Sequence, residues 1–193
     1  VTAGHNDADW NALKFIRADG IFLNHHQAEE LLNVYHQKEF TKAAWDELRP
    51  VSHDYEAAER HLEAIRAQLD VDTIRAAGLK VAVDCTNGAC SDYTPDFLTS
   101  LGCEVFAIND DPDLPFPHEP KPTPENLSQL QALVSAAGAD AGFAHDADGD
   151  RLGVVTEQGE APGEEYTLCL AAEMVLERGD PGPVVTNLST TMR

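Results

Sequence analysis

Three aspartates at alternate positions, Asp146, Asp148 and Asp150, with Arg151 directly after them, form the chemically densest stretch of the chain. Carboxylates this close repel one another unless a cation lies between them, and a hard divalent ion that prefers oxygen ligands offsets the repulsion. The spacing therefore points to a bound metal, Mg²⁺ above all, and the adjacent guanidinium points to a phosphoryl group. Two other readings of the loop fail. Asp146, Asp148, Asp150 and Glu157 match the acidic positions of an EF-hand calcium loop, but that loop needs Gly where Arg151 stands and helices where the flanks are strand-like. An aspartyl phosphotransferase reading uses Asp146 and Asp148 and leaves Asp150 and Arg151 without a role.

The flanks of this loop, 141–144 and 152–156, are short apolar runs bounded by glycine and acidic turns, so the loop joins two strands. Upstream, strand and helix alternate: strand 80–84, helix 93–101, strand 104–108, helix 125–137. This order predicts an α/β fold, a mixed, mostly parallel sheet with right-handed crossovers and helices on both faces. Ligands of such sheets gather beyond the carboxyl ends of the strands, where the aspartate loop falls. From Asp54, Leu62, Ile65 and Leu69 share one helical face, and a second short helix runs from Val71 to Ala77, stopped by Gly78. The prolines between Asp110 and Pro124 demand an extended surface loop, which taken alone is a connector. Residues 163–178 read as helix, and 183–187 as the start of another strand.

Composition narrows the partners. The net charge is -21, from 34 acidic and 13 basic side chains, which argues against nucleic acid and anionic membrane surfaces. A surface this acidic suits concentrated salt, where self-repulsion is screened. No apolar run approaches the roughly 20 residues needed to span a bilayer. The four cysteines, Cys85, Cys90, Cys103 and Cys169, show no zinc spacing or Cys-x-x-Cys pair, so buried free thiols in a reducing cytoplasm are expected. Val1 opens the chain without a methionine, directly on a motif, as a fragment or processed product would.

That motif is Thr2-Ala3-Gly4-His5-Asn6-Asp7, followed by Asn11-Ala12-Leu13-Lys14. With the aspartate loop it resembles the α-D-phosphohexomutases, the family of phosphoglucomutase, phosphomannomutase and phosphoglucosamine mutase. Their pattern Thr-Ala-Ser-His-Asn-Pro then Asn-Gly-x-Lys aligns with residues 2–7 and 11–14, and Asp-x-Asp-x-Asp-Arg with residues 146–151. Residues 83–89 resemble the glycine-containing turn after the first strand of the family's second domain, and 122–127 its Pro-x-Pro-Glu-Asn-Leu. Residues 163–167 and 187–190 resemble the entry to its third domain.

The resemblance implies a fragment: residues 1–76 as the end of domain 1, 77–162 as domain 2 and 163–193 as the start of domain 3, so that partial α/β domains flank the sheet. It implies a cytoplasmic isomerase acting on a hexose phosphate, with one Mg²⁺ per chain and a hexose 1,6-bisphosphate as activator. A phosphoserine passes its phosphoryl group to a sugar hydroxyl, the bisphosphate reorients, and the other phosphate returns to the serine. In that scheme Asp146, Asp148 and Asp150 hold the metal. Arg151 binds phosphate oxygens, His5 and Lys14 are candidates for moving the hydroxyl proton, and Asn6 orients the loop. The chain departs from the pattern at the serine itself, where Gly4 stands, and at Asp7, which replaces a proline and adds negative charge where a dianionic phosphate belongs. Glycine has no oxygen to phosphorylate, so loss or severe loss of mutase activity is expected. A non-catalytic sugar-phosphate or metal-binding homologue is the alternative. Thr2 is a poor substitute nucleophile, because a displaced hydroxyl must still meet in-line geometry.

Overall fold

A computed structural model describes residues 1–2, 4–38, 40–163, 165–179 and 182–186. Four strands, β1 (Lys80–Asp84), β2 (Glu104–Ile108), β3 (Ala141–His145) and β4 (Leu152–Thr156), form one sheet in the order β2-β1-β3-β4. β1 is parallel to both β2 and β3, and β4 returns antiparallel to β3 with Phe143 opposite Val154 and His145 opposite Leu152. The sheet is thus mixed and mostly parallel. β1 is buried from Val81 to Asp84, as a central strand covered on both faces must be.

Among the described residues six α-helices accompany it: α1 (His25–Gln37), α2 (Ala57–Arg66), α3 (Val71–Ala77), α4 (Thr94–Ser100), α5 (Ser128–Ala137) and α6 (Tyr166–Glu177). On one face Leu130 and Val134 of α5, with Leu127, pack on Ala82, Ala144 and Val155. Burying side chains the size of these leucines and valines stabilises the fold by roughly 1.5–3 kcal/mol each. Val81 and Val83 point to the opposite face and are also buried, on the side reached by α4 against β2. α2 joins α4 there, with the Arg66 guanidinium 5.6 Å from the centre of the Phe97 ring. Helices therefore cover both faces.

Local chemistry moves several boundaries from their expected places. The helix expected over 125–137 is divided into a 3₁₀ turn at Pro124–Asn126 and α5 from Ser128, because Leu127 turns inward and is fully buried. Helix α6 begins at Tyr166 rather than residue 163, since Gly163 has φ +115° and cannot enter a right-handed helix. Residues 182–186 form no strand: Val184 and Val185 are 59% and 87% exposed, and no neighbouring strand pairs with them among the described residues. Residue 187 and the rest of the 187–190 motif lie outside the described residues, as does Glu164. The proline-rich loop is irregular as expected, yet not wholly superficial, because Pro120 and Pro122 are fully buried. Helix α1 was not expected. Its sequence signal was the capping box, in which Asn24 Oδ1 accepts from the Gln27 amide (2.9 Å) and Gln27 Oε1 from the Asn24 amide (3.1 Å). No helix among the described residues is long and apolar enough to cross a membrane.

Candidate functional site

The aspartate loop is the connection between β3 and β4, at the carboxyl end of the parallel strands. It is closed by its own first residue: Asp146 Oδ1 accepts the Arg151 amide (3.1 Å), and the Asp146 carbonyl accepts the Gly149 amide (3.2 Å). With the chain so folded, one oxygen from each of Asp146, Asp148 and Asp150 lies within 4.8 Å of the others. Asp146 is fully buried, and its Oδ2 and Asp148 Oδ1 are buried oxygens without a hydrogen-bond partner. A buried acceptor left unpaired costs about 1–3 kcal/mol. Two such oxygens facing a third carboxylate form the donor set of a hard-cation site, and the three aspartates fit a divalent metal. Burial raises the Asp146 pKa, opposed by the Arg151 amide and reinforced by the negative charges of Asp150 and Asp148. A divalent cation would reverse that tendency.

The turn after β1 holds this loop from behind. Ala89 donates its amide to the Ala147 carbonyl (2.9 Å), and a Cβ on Gly88 would stand 2.6 Å from the same oxygen, so only glycine fits. Thr86 has φ +56°, unfavourable for a β-branched residue, and is held there by two bonds. Its amide donates to Asp84 Oδ1 (2.9 Å) and its hydroxyl to the His145 carbonyl (2.7 Å).

The amino-terminal loop meets the aspartates from the other side. Its base is closed by the Thr2 amide on the Ala12 carbonyl (3.0 Å) and by the Trp10 amide on the Asp7 carbonyl (3.0 Å). Lys14 Nζ donates to Asp148 Oδ2 at 2.9 Å and lies 3.8 Å from Asp150 Oδ2. The Thr2 hydroxyl donates to Asp148 Oδ2 (3.1 Å) and accepts the Gly4 amide (2.9 Å). Burial pushes the Asp148 pKa up, but the hydrogen bonds from Lys14 and Thr2 and the Lys14 charge outweigh it, leaving it below the ordinary value. The Lys14 pKa is raised, chiefly by its bond to Asp148, so Lys14 is an ammonium at neutral pH. Gly4, at φ +61°, directs its missing side chain inward: a Cβ there would lie 3.9 Å from Asp148 Oδ2 with no nearer atom.

Of the residues singled out in the sequence, Asp146, Asp148, Asp150, Lys14 and Gly4 come together. His5 is half-buried beside Gly4, and Asn6 helps to line a cleft of about 320 Å³ with Thr2, Gly4, Trp10, Asn11 and Phe116. Only the backbone of Arg151 touches the aspartates. Its side chain is exposed, with no partner among the described residues, and is available to an incoming anion. The roles of Thr2, Gly88 and Thr86 were not assigned in the sequence, although the first lies in the amino-terminal motif and the others in the glycine-containing turn.

Residues 59–159, the segment that carries the whole sheet and the aspartate loop, match the family model described as phosphoglucomutase/phosphomannomutase, alpha/beta/alpha domain II. The chain belongs to this family. Its phosphoglucomutase/phosphomannomutase relatives include a protein of Methanopyrus kandleri named "Probable phosphoglucosamine mutase", 38% identical over 193 residues, which are 100% of this chain and 42% of the relative. The "Phosphoglucomutase/phosphomannomutase" of Thermococcus kodakarensis is 33% identical over 192 residues, 99% of this chain and 42% of the relative. A crystal structure of a phosphoglucomutase/phosphomannomutase family protein from Burkholderia thailandensis superposes with a TM-score of 0.75 at 34% identity, covering 94% of this chain and 38% of that one. The chain thus spans well under half the length of the relatives it matches.

Proposed function

We propose that this chain carries the metal loop and the phosphoryl-acceptor loop of a phosphohexomutase, a Mg²⁺-dependent isomerase that moves phosphate between the 1- and 6-hydroxyls of a hexose. Residues 1–76, 77–162 and 163–193 are read as parts of three successive domains of such an enzyme. The observation that carries the proposal is the direction of Gly4: a side chain at that position faces Asp148 from 3.9 Å. The position occupied by serine in the family pattern therefore looks into the acidic triad.

Asp146, Asp148 and Asp150 would hold Mg²⁺, which when bound supplies charge neutralisation for a transferring phosphoryl group. The remaining work belongs to the chain's own residues. Lys14, kept as an ammonium by Asp148, can donate a hydrogen bond or a proton to a phosphoryl or leaving oxygen, but in that state it cannot accept one. His5, beside Gly4, is the candidate to accept the sugar hydroxyl proton, Arg151 to bind phosphate oxygens and Asn6 to orient the loop. Glycine at position 4 removes the oxygen that would carry the phosphoryl group, so the covalent step is lost or severely impaired in this chain.

That missing oxygen also favours a second reading, a binding protein for metal and sugar phosphate that has given up catalysis. The full-length protein, assayed on glucose 1-phosphate, mannose 1-phosphate and glucosamine 1-phosphate with Mg²⁺ and glucose 1,6-bisphosphate, separates the two when Gly4→Ser is run beside it. Turnover gained by Gly4→Ser supports the mutase reading. If both proteins are inactive while Mg²⁺ and sugar phosphate still bind, the binding-protein reading holds.

A further inference from the structure

A second buried charge lies outside the aspartate loop. Asp84, the last residue of β1, is fully buried. Its Oδ1 accepts the Thr86 amide (2.9 Å) and Asn109 Nδ2 (3.0 Å), and its Oδ2 faces His118 Nε2 at 3.1 Å. The other ring nitrogen, Nδ1, is 2.8 Å from the Glu119 carbonyl. A carboxylate and a carbonyl both accept, so both ring nitrogens donate and His118 is an imidazolium paired with a buried carboxylate. Its pKa is raised, first by the bond to Asp84 and further by the Glu119 carbonyl, with burial opposing.

His118 has no N–H left for a ligand, so its effect must pass through what it holds. It sits in the proline-rich loop, whose other anchor is Asn87: Asn87 Nδ2 donates to the Pro115 carbonyl (2.7 Å), and Asn87 Oδ1 accepts the Asp111 amide (3.2 Å). Between these anchors Phe116 projects into the cleft that also contains Gly4, Asn6 and Trp10. Phe116 and His118 line a neighbouring cleft with Asp7 and Ala8 of the same amino-terminal loop. Phe116 thus forms an apolar wall of the clefts beneath the amino-terminal loop, beside the bonds that Thr2 and Lys14 make to Asp148.

We propose that His118 is a positioning residue: its ion pair with Asp84 fixes the proline-rich loop to the end of the central strand, so that Phe116 holds the Gly4 loop in register with the metal site. The proposal deepens the phosphotransferase reading and rests on it only for what the cleft contains.

The test is site-resolved hydrogen exchange on the whole chain. In His118→Ala the Gly4 and Trp10 amides, bonded to Thr2 Oγ1 and the Asp7 carbonyl, exchange about tenfold faster while the amides of β1 and β3 keep the parent's rates. His118→Gln, which retains a donor opposite Asp84, stays within about threefold of the parent. Phe116→Ala, with the ion pair intact, reproduces the acceleration at Gly4 and Trp10. Unchanged exchange at those two amides in His118→Ala, or in Phe116→Ala should His118→Ala fail to fold, overturns the proposal. Calorimetry with glucose 1,6-bisphosphate and Mg²⁺ is a second arm: dissociation constants rise by the same factor in the two alanine variants and no further in the double variant. A parent chain that binds no bisphosphate counts against the phosphotransferase reading alone, because the exchange arm needs no ligand.

Discussion

Gly4→Ser tests both the conformation and the direction of the acceptor loop. At φ +61° a residue with a Cβ pays the left-handed penalty of about 1–2 kcal/mol. Loss of glycine's freedom in the unfolded chain returns roughly 0.4–1 kcal/mol of that. No clash adds to the cost, because the nearest heavy atom to the new Cβ is Asp148 Oδ2 at 3.9 Å. The net loss is therefore about 1 kcal/mol, or a melting temperature lower by roughly 2–4 °C for a chain of this size. Gly4→Ala has the same backbone cost and no hydroxyl, so the two variants should melt together. They should separate in intact-mass spectrometry after incubation with glucose 1,6-bisphosphate and Mg²⁺, where only Gly4→Ser gains the mass of one phosphoryl group. Both variants melting at or above the parent would refute the left-handed loop. A folded Gly4→Ser that never acquires phosphate would refute the claim that position 4 serves the metal site.

Three further expectations follow from neighbouring contacts. Lys14→Met removes a cation 2.9 Å from Asp148, so Mg²⁺, relieved of that repulsion and competition, should bind about threefold tighter by calorimetry. Gly88→Ala drives a Cβ to 2.6 Å from the Ala147 carbonyl; chemical denaturation should record a loss of about 1–3 kcal/mol, with weaker Mg²⁺ binding as the loop is displaced. The folded pKa of His118 lies above its ordinary value of 6.5, so the stability from its pair with Asp84 is fully present below pH 6.5 and is lost as pH rises through the folded pKa. The melting-temperature gap between the parent and His118→Gln should therefore be constant below pH 6.5 and shrink as pH rises above it through the raised folded pKa.

The sheet was legible because its signals are local. β1, β2, β4 and α3 have the bounds read from apolar runs and from Gly78, and the aspartate triad lies within one hairpin, where sequence neighbours are also spatial neighbours. Helix α1 was missed although Ala28, Leu31, Leu32 and Tyr35 recur at helical spacing behind its capping box; none of its residues is buried, so nothing in the sheet's packing pattern pointed to it. The strand expected at 183–187 was read from apolar residues alone, but a strand also needs a partner to satisfy its backbone. Within the site, Lys14 meets Asp148 across 134 positions, and only the family pattern joined the two motifs beforehand. The pairing of Asp84 with His118 had no such pattern behind it. An aspartate ending a strand and a histidine among prolines are each unremarkable in sequence, and only the tertiary fold makes them a buried ion pair.

The central claim is that Asp146, Asp148 and Asp150 form a divalent-cation site that the Gly4 loop faces. Isothermal titration of the chain with Mg²⁺ tests it most directly, beside Asp146→Asn and Asp148→Asn, whose circular dichroism must match the parent's. The account predicts one Mg²⁺ per chain, with each substitution weakening binding by about tenfold or more as a charged ligand is lost. No Mg²⁺ uptake by the parent, or equal affinity after either substitution, would contradict it.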